Sequence, residues 1–186
     1  MVPQTEDVIR TAFIYNTEKV ELNGSSEILQ VTAFADARQP LAQKFRAKGT
    51  DKEFVAIANH FKSKGSGVDD GTGQGNANPP SREAQADALV SWVNERFSQD
   101  AVFLLGDFNA YSKETPPIQK IEAGGFTELV HAQEPDAATY QFSGRLGSLD
   151  HVFGNAKPAS WSPARPSTTS TGTSRSPSSI RVATTT

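Results

Sequence analysis

Apolar residues along this chain fall in short blocks separated by Gly-, Asn-, Asp- and Pro-rich breaks. Val8 to Tyr15 (VIRTAFIY) is rich in β-branched and aromatic residues and predicts a strand, which Lys19 to Leu22 continues. Asn23-Gly24 predicts a turn, followed by a second strand over Glu27 to Thr32. Phe54 to His60 (FVAIANH) is nearly continuous in apolar residues, as in a strand buried on both faces. Residues 65–80 are Gly, Asp, Asn and Pro and predict a long loop. The period then changes: Ala86, Leu89, Val90, Val93 and Phe97 share one face of a helix that starts near Pro80 and Ser81. Ala101 to Leu105 (AVFLL) predicts another buried strand, Ile118 to Ala123 a short helix ended by Gly124-Gly125, and Leu149 to Phe153 a last strand. Alternating strands and helices make this an α/β layered domain, with no internal repeat.

The pattern fails near position 158. From Pro158 on, about half the residues are Ser or Thr, and Asp and Glu are absent. Such a segment buries too little apolar surface to offset its ordering entropy, so disorder is expected over 158–186 and a single domain over 1–157. The Ser/Thr/Pro/Arg bias is that of an off-frame GC-rich gene, and we read the tail as a frameshifted continuation.

Composition narrows the chemistry. The 186 residues fit one domain, and 36% hydrophobic content with 11 Phe is enough for a core. The net charge of −3 offers no global field for a polyanion, so any nucleic-acid reading rests on a local site. Cysteine is absent, which excludes disulfides, thiolate metal sites and a Cys nucleophile. No apolar run approaches the roughly 20 residues of a membrane span. No obligate protein partner is evident.

Three of the expected strands end in polar clusters: Asn59-His60 with Lys62 and Lys64 beyond it, Gly106-Asp107-Phe108-Asn109, and Asp150-His151. Loops held at strand ends are where sites are commonly built. Phosphodiester hydrolysis needs a water activator, a cation or cationic groups to absorb charge, and donors for the phosphate oxygens. Each residue also has a structural reading. Asp107 and Asn109 suit a strand-ending turn. His60 alone reads as a hydrogen-bonded structural histidine. Lys62 and Lys64 read as solvated loop residues or as a phosphate path with Arg82. Asp150, among Leu149, Val152 and Phe153, reads as functional or paired, since an Asp is seldom buried alone. His151 faces away from Asp150 and reads as structural. His131 has no company and no role.

With these segments in order, the sequence resembles the endonuclease/exonuclease/phosphatase (deoxyribonuclease-I-like) superfamily, nearest its large secreted bacterial nucleases. The motifs are AFIYN (12–16), RQPLAQKF (38–45), NHFKSKGS (59–66), SREAQADAL (81–89), LLGDFNAY (104–111), ETPPIQKIEAGGFTEL (114–129) and TYQF with GSLDHVF (139–153). The resemblance implies an α/β four-layer αββα sandwich. It implies a metal-dependent phosphodiester hydrolase, an endonuclease on DNA or RNA, that uses Mg²⁺ or else Mn²⁺ or Ca²⁺. It gives catalytic roles to His60, Asp107, Asn109 and Asp150, and metal contacts to Asp107 and Asn109. Asn59, Lys62, Lys64, Arg82 and Tyr15 would line the substrate path. It implies an extracellular or cell-surface parent protein.

The sequence departs from that pattern at Asn16, where Arg is usual. It has neither the family's metal-binding Gln-Glu motif nor its Ser-Asp-His-x-Pro motif, whose His Asp150 would orient. The expectation is therefore a domain incomplete at both ends, with reduced or no activity. The alternatives are a phosphomonoesterase or phosphoinositide phosphatase on the same fold, or a non-catalytic remnant.

Overall fold

The computed structural model describes residues 9–65, 68–69, 76–77, 79–112, 115–142, 144–159 and 180–185. In chain order the strands are β1 (Arg10–Tyr15), β2 (Val20–Leu22), β3 (Glu27–Ile28), β4 (Arg38–Ala47), β5 (Glu53–His60), β6 (Val68–Asp69), β7 (Asn76–Ala77), β8 (Val102–Asp107), β9 (Phe126–Glu128), β10 (Tyr140–Phe142), β11 (Arg145–Gly147), β12 (Asp150–Asn155) and β13 (Ile180–Thr185). The helices are α1 (Pro79–Arg96), α2 (Thr115–Ala123), α3 (Val130–Gln133) and α4 (Ala156–Ala159), with a 3₁₀ turn at Thr32–Phe34.

Seven strands form the main sheet, ordered β2-β4-β5-β8-β12-β9 with β3 also on β4. β5 and β8 are parallel, joined through α1, and every other pairing in this sheet is antiparallel. β5 is buried at six successive positions, Phe54 to Asn59, as its apolar run requires. One face carries α1 and α2, where Ala86, Leu89 and Val93 of α1, with Phe97 just past its end, meet Val55, Ile57, Val102 and Leu104. The other face carries a two-stranded sheet, β1 with β13. Phe13 and Tyr15 of β1 set their rings edge-on to Phe45 at 5.6 and 5.3 Å. Helices, main sheet and second sheet are three layers of the expected αββα order.

Several expectations need correction. The strand expected over Glu27 to Thr32 stops at Ile28, and Thr32 opens the 3₁₀ turn. The ten-residue β4 was not expected. Its sequence RQPLAQKFRA breaks the apolar pattern, and Pro40 argues against a strand. The structure places Pro40 within the one irregularity of the β4–β5 pairing, between Arg38 and Leu41. Most of the loop expected at 65–80 lies outside the described residues, although β6 pairs with β7. The tail at 160–179 also lies outside them. Ile180–Thr185, expected to be disordered, pairs along all of β1 instead. The β-branched residues in IRVATT favour an extended backbone.

Candidate active site

Strand pairing brings three of the four expected catalytic residues into one line. β5 and β8 pair in parallel with His60 opposite Asp107. β8 and β12 pair antiparallel with Asp107 opposite Asp150. On the outer side, Arg38 of β4 lies opposite His60. The row Arg38, His60, Asp107, Asp150 thus crosses four adjacent strands at the C-terminal ends of β5 and β8, where open α/β sheets bind ligands.

Asp107 is the centre of this row. Its Oδ1 accepts the Asn109 backbone N–H at 2.8 Å, and its Oδ2 lies 3.8 Å from His60 Nε2. Burial pushes the Asp107 carboxyl up to about 6, with the Asp150 charge adding to the rise. The Asn109 hydrogen bond and the Arg38 charge pull the other way. His60 is nearly buried, and its Nδ1 makes no hydrogen bond. Asp150 is exposed, with its backbone N–H donating to Thr139 Oγ1 at 3.2 Å. The premise that Asp150 is buried is therefore corrected: alternation along β12 turns it out while His151 turns in.

Asn109 joins the row through the turn. It is the described non-glycine residue with positive φ, 48°, and it is 7% exposed. The Asx turn to Asp107 holds that backbone, and Asn109 Nδ2 donates to Phe61 O at 3.0 Å. The turn-forming reading is thus correct as geometry, and the turn fixes one carboxylate oxygen of Asp107. Gly106 is needed beside it: φ is +128°, and a Cβ there would lie 2.2 Å from Asn59 O.

Beneath His60, Asp107 and Asp150 the next residue in each strand is an aromatic ring. Phe61 and Phe108 are 4.9 Å apart and Phe108 and His151 are 5.9 Å apart, centroid to centroid. His151 is 1% exposed with Nε2 2.8 Å from Ala110 O, in keeping with a structural role.

The flanking candidates fare unevenly. Asn59 is wholly buried, donates to Ile57 O at 2.8 Å, and leaves Oδ1 without a hydrogen bond. Lys62 Nζ is held by Asp36, 3.2 Å from its carboxylate. Lys64 Nζ lies 5.3 Å from the Tyr111 ring centroid, two residues past Asn109. Arg82 is corrected as a substrate contact: it is 0% exposed, and its guanidinium reaches Lys62 O from beneath at 3.5 Å. With Gln85, whose Oε1 accepts the Lys62 N–H at 2.9 Å, it anchors the loop after His60. Tyr15 is also corrected. It packs on Phe45, which pairs with Phe54, six residues and roughly 20 Å along β5 from His60 at ~3.3 Å per residue.

The sequence reading missed Arg38, which stands in a quoted motif but gains a role only through its register with His60. It also missed Tyr111. A cleft of about 270 Å³ lies at the other end of the sheet, near Lys44, Arg96 and Asp100. Its charges already satisfy one another, Lys44 to Asp100 at 2.7 Å and Arg96 to Glu27 at 2.8 Å, so the row is the stronger candidate.

The divalent cation implied by the resemblance fits the row on one observation. Asp107 and Asp150 present hard oxygen donors side by side, and their mutual repulsion is what such a cation relieves. Asn109 turns its amide nitrogen to Phe61 and its backbone to Asp107, so it acts through Asp107 in this geometry.

No family model and no curated protein matches the sequence. Solved structures do match the fold. The human Nocturnin catalytic domain, solved with a bound sulfate anion, aligns with TM-score 0.56 and 14% identity over 80% of this chain and 61% of its own. An endonuclease/exonuclease/phosphatase family protein from Bacteroides thetaiotaomicron aligns with TM-score 0.53 and 18% identity over 76% of this chain and 54% of its own. TDP2 from D. rerio, solved with a single-strand DNA product, aligns with TM-score 0.52 and 14% identity over 78% of this chain and 62% of its own. The chain thus spans between half and two thirds of each of these three structures. It carries the endonuclease/exonuclease/phosphatase fold, with the row of His60, Asp107 and Asp150 at the ends of its central strands.

Proposed function

We propose that this chain is the core of a divalent-cation-dependent phosphodiesterase acting on nucleic acid. The observation that carries the reading is the in-register row of His60, Asp107 and Asp150, on a fold shared with solved proteins named as an endonuclease/exonuclease/phosphatase family member and a mannosyl-6-phosphatase. Burial raises the cation-free Asp107 carboxyl to about 6, which leaves it ionised at neutral pH, able to hold a cation and to orient the attacking water beside it. The Asn109 turn holds Asp107 in one orientation. His60, beside it, donates to a phosphate oxygen. Asp107 and Asp150 would hold the cation, which when bound would supply charge neutralisation of the phosphate.

Two observations favour nucleic acid over a small phosphomonoester. The TDP2 relative was solved with a DNA product. In this chain Tyr111 and Lys64 set an aromatic ring and a cation close to Asn109, the pairing that single-stranded nucleic acid uses for bases and backbone. The secreted bacterial nuclease resemblance agrees, and we extend the proposal to an extracellular parent protein.

The test uses the purified chain with Mg²⁺ or Mn²⁺ on plasmid, single-stranded DNA, RNA and p-nitrophenyl phosphate. Slow, chelator-sensitive cleavage of nucleic acid, lost in Asp107→Ala and His60→Ala, is the expected result. Oligonucleotide binding in Ca²⁺ gives a second readout independent of turnover. Hydrolysis of the monoester alone, or nucleic-acid cleavage untouched by Asp107→Ala, overturns the proposal.

A further inference from the structure

On the opposite face from Asp150, three ligand-capable side chains converge. Glu128 ends β9, His131 lies in α3, and His151 lies on β12. Their donor atoms all lie within 4.8 Å of one another. Their hydrogen bonds make the grouping informative. His151 Nε2 lies 2.8 Å from Ala110 O, and His131 Nε2 lies 3.1 Å from Ala137 O. A carbonyl only accepts, so each Nε2 carries the proton. The Ser112 hydroxyl, farther from His131 Nε2 at 3.4 Å, does not alter that assignment. In a neutral imidazole the other nitrogen is then a bare lone pair.

Both lone pairs face the same carboxylate. His131 Nδ1 is 3.2 Å from Glu128 Oε2, and His151 Nδ1 is 3.8 Å from Glu128 Oε1. Glu128 Oε1 and both Nδ1 atoms are buried and make no hydrogen bond. Glu128 Oε2 accepts the His131 backbone N–H at 2.6 Å, while Oε1 and the two Nδ1 atoms are left as three acceptors with no donor between them, in a region where His151 is 0% and Glu128 10% exposed at the side chain. One proton on His131 would settle the shorter contact and leave His151 Nδ1 against Oε1. Protons on both rings would crowd two cations, with ring centroids 6.0 Å apart, about one carboxylate. A single divalent cation satisfies all three atoms together. An imidazole whose far N–H is fixed by a backbone carbonyl is also the usual arrangement of a metal-ligating histidine.

We propose that Glu128, His131 and His151 form a structural site for one zinc-class divalent cation, separate from the catalytic row. Two imidazole nitrogens and one carboxylate select a borderline transition metal such as Zn²⁺ over Mg²⁺ or Ca²⁺, which prefer oxygen. The fourth position falls to water on the His131 side, where the side chain is 19% exposed. The cation would tie β9, α3 and β12 together. Through the His151 to Ala110 hydrogen bond it would also stiffen the loop that carries Asp107 and Asn109. None of this depends on the phosphodiesterase reading.

The test is metal uptake by the full chain after chelator treatment and chelator removal. Calorimetry with Zn²⁺, and visible absorption with Co²⁺ as its spectroscopic stand-in, should report one equivalent that excess Mg²⁺ does not displace. The variants His131→Ala and Glu128→Gln, less buried than His151 and so safer for folding, should lose affinity beyond the ~10–100-fold that loss of an outer-shell partner costs. Zn²⁺ should raise the Tm of the unaltered chain and leave that of His131→Ala in place. Asp107→Asn should keep the full equivalent. No saturable uptake, equal uptake by His131→Ala, or loss of uptake in Asp107→Asn would each overturn the site.

Discussion

Asp107 of β8 and Asp150 of β12 are direct cross-strand partners, so two carboxylates share one end of the sheet with only His60 and Arg38 continuing the line. Like charges placed opposite each other oppose pairing, and the cost appears in the raised Asp107 carboxyl. Asp150→Asn removes one cause of that rise. The Asp107 titration, followed by NMR in chelator, should move to lower pH while remaining above the ordinary carboxylate range, because burial is the larger cause. A titration that stays in place would separate the two groups electrostatically.

Asp107→Asn should separate stability from activity. The folded carboxyl titrates near 6 and its ordinary value is 3.8, so the folded state holds more protons between those two values. Stability therefore falls as pH rises through that window. The amide variant carries no such charge and should be more stable at pH 7 by about 1–3 kcal/mol, with the gain fading below pH ~4. Denaturant melts in chelator, at several pH values, check this. Cleavage should fall by ~100-fold or more in the same variant.

Asn109 allows its two roles to be told apart. Asn109→Gly keeps the left-handed backbone and loses the bond to Phe61 O, at a cost of about 1 kcal/mol. Asn109→Ala loses both and should cost about 1–2 kcal/mol more. Because Asn109 acts on Asp107 through its backbone N–H, Asn109→Gly should keep most of the activity and Asn109→Ala should lose it; loss in both would give the side chain a role of its own. Paired melts and single-turnover rates distinguish the cases.

Gly106→Ala should be among the most damaging changes in the chain. The backbone conformation disfavours any side chain, and the new Cβ would overlap the Asn59 carbonyl on the neighbouring strand. A loss of about 2–4 kcal/mol is expected from strain and overpacking together, read as a lowered denaturant midpoint.

The blocks that became β5, β8, α1 and β12 were legible because each carries a local apolar period ending in polar residues. Their adjacency was not, because His60 meets Asp107 only across a parallel pairing closed through α1. β4 was hidden for a different reason. Its buried positions Pro40, Ala42, Gln43 and Phe45 are interleaved with Arg, Gln and Lys, and Gln43 is satisfied by Ser26, Gly24 and Lys44. Arg82 looked like a surface cation because charge is normally exposed. The carbonyl that receives it belongs to Lys62, twenty residues away. His131 looked solitary for the same reason: its neighbours arrive from β9 and β12, and the carbonyls of Ala110 and Ala137 that fix the two rings leave no trace in a string of side chains.

The pairing of His60, Asp107 and Asp150 each with a ring on the next position divides this region by parity. Positions 60, 107 and 150 face away from the helices, while 61, 108 and 151 look into the helices' side. Changes at the first set should therefore silence chemistry in a protein that still melts cooperatively. Changes at the second should loosen the protein first and its chemistry only as a result. A single-residue slip of any of these strands would exchange the two sets, so the register that shapes the interior also keeps the reactive groups off the helix-packed face.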